Sequence, residues 1–73
     1  MATVDIPAPM SGSVFEVLVS PGASVSAGQE VIVLESMKME IPVESPEAGT
    51  VAEVLVAPEE TVEEGQTLVR VES

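Results

Sequence analysis

Seventy-three residues are enough for one small domain built on a single compact core. Thirteen acidic groups against two basic ones give a formal charge of −11, which disfavours nucleic acid and anionic membranes as partners, since both need clustered Lys and Arg. With no His, Cys or Tyr there can be no disulfide, no thiolate metal site and no Ser-His or Cys-His nucleophile, so the chain is not expected to be an enzyme by itself.

The start, Met1 to Asp5, has no basic segment leading into an apolar run, and no apolar stretch approaches membrane-spanning length. A soluble, cytoplasmic protein is the expectation. Fourteen residues are valine and only Phe15 is aromatic. Valine is stiff at χ1 and packs well on a pleated surface, so the composition leans all-β.

The chain repeats itself. A shift of 37 positions lays Gly12 to Ser36 over Gly49 to Ser73 with twelve of 25 positions identical. The match reaches back to Ile6 on Val43 and Pro9 on Pro46. Each copy reads as four short strands, at 2–6, 13–19, 24–25 and 30–36, then at 39–44, 50–56, 61–62 and 67–72.

One copy helps to assign the other. In the second strand Phe15, Val17 and Val19, with counterparts Ala52, Val54 and Val56, form an apolar parity expected to face the core. Glu16 and Glu53 on the other parity are expected to face water. By the same alternation Ile32, Leu34, Val69 and Val71 point inward, and Val4 and Ile6 match Ile41 and Val43, with Asp5 and Pro42 on the opposite parity. Prolines at 7, 9 and 46 separate the first and second strands, and Pro21-Gly22 and Pro58 turn the chain after the second. Gly28 and Gly65, each followed by Gln, suit turns with positive φ before the last strand of each copy. Neither copy is large enough to bury its own face. The expected architecture is therefore one domain over 1–73, a flattened barrel-sandwich of two four-stranded antiparallel sheets with a pseudo-twofold repeat. The acidic run Pro58 to Glu64 reads as a solvated surface, and no metal site is expected there.

At the joint between the copies lies Glu35-Ser-Met-Lys-Met-Glu40, which holds the only lysine, Lys38. A two-residue loop at Met37-Lys38 sets Ser36 opposite Met39, Glu35 opposite Glu40, Leu34 opposite Ile41 and Ile32 opposite Val43. Inward residues then meet inward residues, in agreement with the core assignment. Such loops favour primed turns and hence Asn and Gly, so Met and Lys are poor choices, and Glu35 and Glu40 oppose like charges. Two local penalties beside one exposed lysine point towards function. The plainer reading is a lysine that keeps a hairpin tip soluble, with Met39 turned inward and Met37 half exposed as apolar fillers.

Met37-Lys38-Met39 at the centre of a valine-rich double repeat resembles the attachment hairpin of the biotinyl/lipoyl domain family. Ile6 to Gly12 is similar to that family's first turn, and Ala27-Gly-Gln29 and Glu64-Gly-Gln66 to its matched pair of turns. Family members usually carry Ala where Ser36 stands. Some also carry an inserted thumb in the first copy, for which the gapless repeat leaves no room. The resemblance implies biotin joined to Lys38 by a biotin protein ligase, with Met37 and Met39 as flanking recognition residues and Glu35 and Glu40 as acidic landmarks for the ligase. It further implies a monomeric carrier that shuttles a carboxyl group between biotin carboxylase and carboxyltransferase sites of a biotin-dependent carboxylase such as an acyl-CoA carboxylase. Two alternatives stay open: a lipoyl carrier of an acyl-transfer complex, whose members typically read Asp-Lys-Ala at the tip, and an acidic interaction module whose Lys38 is never modified.

Overall fold

The computed structural model describes residues 2–73. Eight strands form, β1 (Thr3–Pro7), β2 (Gly12–Val17), β3 (Ser24–Val25), β4 (Glu30–Ser36), β5 (Met39–Glu44), β6 (Gly49–Val54), β7 (Thr61–Val62) and β8 (Thr67–Glu72). They pair into two four-stranded sheets ordered β1-β8-β6-β3 and β5-β4-β2-β7, and every pairing is antiparallel. Each sheet takes strands from both copies. The second strand of each copy is shorter than the alternation predicts, ending at Val17 and Val54 rather than at 19 and 56.

The parity expected for those strands is corrected at its first member. Val14 and Val51 are buried, whereas Phe15 is 49 % exposed and Ala52 is exposed. A bulge is the cause: Val14 pairs Leu34 while Glu16 pairs Val33, so Phe15 is an extra residue, and Ala52 is its counterpart between Val51 and Glu53. An inserted residue flips the alternation. Beyond the bulge the expectation holds, with Val17, Val19 and Val54 packed on the core, Val56 buried, and Glu16 and Glu53 exposed. Bulges at Val31 and Leu68 place these two in the core beside their buried neighbours Ile32 and Val69.

The core holds fourteen buried aliphatics, Leu34 and Val71 among them, sandwiched between the sheets. Ser45 is the one buried polar side chain among the described residues, and its hydroxyl donates to the Glu47 carbonyl at 2.6 Å, so no buried polar side chain there is left unpaired. Gly22, Gly28 and Gly65 have φ of 93°, 86° and 86°, as the turns require. Gln29 and Gln66 close the last two of these turns, their side-chain oxygens accepting from the N–H groups of Ser26 and Glu63.

This wiring separates the ends of the molecule, which measures 36 × 17 × 17 Å. Ala2 accepts a hydrogen bond from the N–H of Ser73, so the chain ends meet beside the start of β1. The other end of β1 reaches Gly12 through four residues, and Gly12 pairs beside the tip of β4, where a Cβ would lie 2.7 Å from the Glu35 carbonyl oxygen. The β4–β5 tip and the chain ends therefore lie at opposite ends. Met1, the repeat's counterpart of Lys38, lies outside the described residues.

Candidate functional site at the hairpin tip

Strands β4 and β5 pair in the register read from the sequence: Ser36 with Met39, Glu35 with Glu40, Leu34 with Ile41, Val33 with Pro42 and Ile32 with Val43. The loop between them is Met37-Lys38, and both residues have positive φ, 52° and 65°. Two successive left-handed residues are the signature of a type I′ turn, whose twist matches that of the strands it joins. An L-residue in that region costs roughly 1–2 kcal/mol, and here neither position is Asn or Gly. The frame pairs, Leu34 with Ile41 and Ile32 with Val43, hold the turn in place; Leu34, Ile32 and Val43 are buried and Ile41 packs against the core.

Lys38 is exposed at the apex and makes no hydrogen bond or ion pair among the described residues, where the only ion pairs are those of Arg70. Its amine is left free for reaction or docking. Met37 is 91 % exposed. Met39, expected to turn inward, is instead 66 % exposed. The reason is its position: it pairs with Ser36, one step beyond the last residues covered by the opposite sheet, so neither orientation offers it a core. Counting back from the closing pair, Glu35 and Glu40 form a close, non-hydrogen-bonded pair, with Cα atoms about 4.5 Å apart. Both are exposed, and their repulsion remains unrelieved beneath the lysine.

Sequence reasoning missed Gly12. It supports the base of the hairpin, since a side chain there would meet the Glu35 backbone and, at 3.3 Å, the Ser36 Cβ. The repetition of this glycine as Gly49 was the available signal. No cluster of acidic groups able to hold a metal exists among the described residues. A groove lined by Ile6, Pro7 and Pro9 of the first copy and Pro42, Val43, Glu44 and Pro46 of the second runs between the two sheets, and Lys38 does not line it. The tip presents an exposed primary amine on a two-residue turn closed by the β4–β5 pairing.

Residues 4–71 match the family model described as "Biotin-requiring enzyme", which also bears the name biotin/lipoyl. Among curated relatives, the methylmalonyl-CoA carboxyltransferase 1.3S subunit of Propionibacterium freudenreichii subsp. shermanii is 58 % identical over 36 residues, 49 % of this chain and 29 % of that protein. The biotin/lipoyl attachment protein of Bacillus subtilis (strain 168) is 53 % identical over 34 residues, 47 % of each chain. This chain thus spans less than half the length of these two relatives in the matched region. A single-chain, multi-domain long-chain acyl-CoA carboxylase of known structure superposes with a TM-score of 0.87 at 35 % identity, over 93 % of this chain and 7 % of that one.

Proposed function

The chain belongs to the biotin/lipoyl attachment family, and from that premise we propose that it is a biotin carboxyl carrier, with biotin amide-linked to Nζ of Lys38. The observation that carries the proposal is the apex geometry: the only lysine of the chain stands exposed and outside the ion pairs of the described residues on a left-handed turn, at the end of the molecule opposite Ala2 and Ser73. When bound, biotin supplies a group that accepts a carboxyl at a biotin carboxylase site and gives it up at a carboxyltransferase site.

The residues of the chain divide the remaining work. Lys38 is the point of attachment, its amine acting as nucleophile on an activated biotinyl group held by a biotin protein ligase. Met37 and Met39 offer the ligase two apolar contacts on either side of that amine. Glu35 and Glu40 mark the base of the hairpin with negative charge. The chain itself is non-catalytic, a reading supported by the absence of His, Cys and Tyr. Tethering suffices for such a carrier, since it raises the effective concentration of the carried group at each enzyme without adding catalytic groups. A monomer is supported by Pro42, which removes a donor from the open edge of β5. The lipoyl alternative has less support: methionines flank Lys38, and the 1.3S relative is a carboxyltransferase subunit.

Intact-mass measurement after incubation with biotin, ATP and a biotin protein ligase tests this reading. One biotinyl group is expected on the wild type and none on Lys38→Arg, which keeps the charge but cannot be acylated in this way. Amide formation removes one positive charge, taking the formal charge from −11 to −12, so native gels should separate the two forms. Glu40→Lys is expected to slow modification while leaving the fold intact. A mass shift with a lipoyl ligase and none with the biotin ligase would transfer the assignment to lipoate.

A further inference from the structure

The outer faces of the two sheets are the same positions built twice with different chemistry. In the β1-β8-β6-β3 sheet Arg70 pairs with Asp5 on one side and Glu53 on the other, and its guanidinium lies 3.1 Å from each carboxylate. In the β5-β4-β2-β7 sheet the counterpart of Arg70 is Val33, paired with Pro42 on one side and Glu16 on the other. The ionic clamp is missing there. The bulge beside it presents Phe15, the chain's only aromatic residue, where the sister sheet has Ala52. Phe15 and Glu16 together oppose Val33, so Phe15, Val33 and Pro42 make an apolar strip across three strands.

Scattered exposed apolar residues are ordinary and need no explanation. This strip differs in being contiguous, in sitting on the sheet that carries Lys38, and in its frame of charge. Glu35 opposes Glu40 on the side of the tip, Glu30 opposes Glu44 on the far side, and Glu16 flanks Val33. None of these five carboxylates is held in an ion pair among the described residues, where the pairs are those of Arg70 on the other sheet.

We propose that the strip of Phe15, Val33 and Pro42 is the docking surface for the ligase that acylates Lys38, and that the ligase meets it with an apolar contact rimmed by Lys and Arg. The proposal rests on Lys38 being the attachment site. Distance favours this occupant. Val33 and Pro42 lie five and four residues from Lys38, roughly 14–17 Å along the strands. A standard interface covers about 800 Å² per partner, a disc of about 16 Å radius. An enzyme that seats Nζ of Lys38 in its active site therefore reaches the near end of the strip at Pro42, and one that docks mainly on this face of the hairpin covers Val33 and Phe15 as well. A carboxylase, by contrast, receives its group on the end of a long tether and can do so without touching the flank of the hairpin. The acidic frame complements a basic rim and steers its approach.

Steady-state biotinylation of the full chain by a purified biotin protein ligase, with biotin and ATP saturating, tests this. Phe15→Ala copies the sister sheet, and Val33→Arg combined with Pro42→Asp copies its clamp. For each, KM for the carrier is expected to rise about tenfold, as for truncation of one buried interface aromatic, with kcat retained and Tm unchanged. Arg70→Gln, on the other sheet, should leave kcat/KM as in the wild type. Normal KM in both strip variants, with Lys38 still modified, overturns the docking surface and leaves the attachment site standing. A fall in kcat at constant KM overturns it as well, as does a wild-type dimer in sedimentation that Phe15→Ala dissolves, since a second copy would then cover the strip. No modification of the wild type would remove both the attachment reading and this one.

Discussion

The β4–β5 hairpin and the β8–β1 pair are one structure made twice. Ser36 meets Met39 as Ser73 meets Ala2, Leu34 meets Ile41 as Val71 meets Val4, and Ile32 meets Val43 as Val69 meets Ile6. In one case the strands are joined by Met37 and Lys38; in the other they are the two ends of the chain. The second pair shows that this frame forms with no loop at its end. The strained turn and the opposed glutamates of the first are therefore not needed to build the sheet, and the frame tolerates them. The contrast separates what holds the fold from what the tip is for.

The sharpest way to break the equivalence is at the glycines that sit against each pair. A Cβ at Gly49 would strike the Glu72 carbonyl and come within 2.9 Å of the Val71 side chain, whereas at Gly12 the nearest atom is the Glu35 oxygen at 2.7 Å. Gly49→Ala is expected to cost about 1–3 kcal/mol or more and Gly12→Ala less, because the first clash leaves the backbone less room. Urea midpoints measure the difference, and equal losses would show that the two ends relax alike. Gly12→Ala should in addition disturb Glu35 at the base of the hairpin and slow ligation; Gly49→Ala should not.

A smaller effect tests strain that has no functional duty. Glu59 has φ of 73° at the position where the first copy has Gly22. Glu59→Gly should stabilise the chain by up to about 1 kcal/mol, the relief of the left-handed side chain being partly offset by the added freedom of the unfolded chain. Thermal unfolding reads this directly; a loss of stability would mean that the Glu59 side chain makes contacts worth more than its strain. The smallest effect is expected at the tip. Met37→Leu should shift stability by no more than about 0.5 kcal/mol, since a side chain 91 % exposed has little packing to lose. A large drop in Tm would make Met37 part of the core and end its reading as a recognition residue.

Alternation and the internal repeat together made the hairpin joint, its register and most of the core legible, because side chains alternate with a period of two and a one-residue slip would have exposed every inward residue. The second strand was misread at Phe15 and Ala52 for a related reason. Both copies carry the same bulge, so comparing them could not reveal it. The hint was present in the pairing of a large residue with a small one at Phe15 and Ala52 beside identical valines at 14 and 51.

The sequence by itself determined the pairing register of the β4–β5 hairpin and that the only lysine lies on the turn between the copies, since both follow from spacing along one chain. Only the tertiary structure decided how far the opposite sheet extends. That extent leaves Met39 in solvent. It also places the clamp of Arg70 on one outer face and the strip of Phe15, Val33 and Pro42 on the other. These are relations between strands brought together by burial of the shared core, and no local pattern encodes where that cover ends.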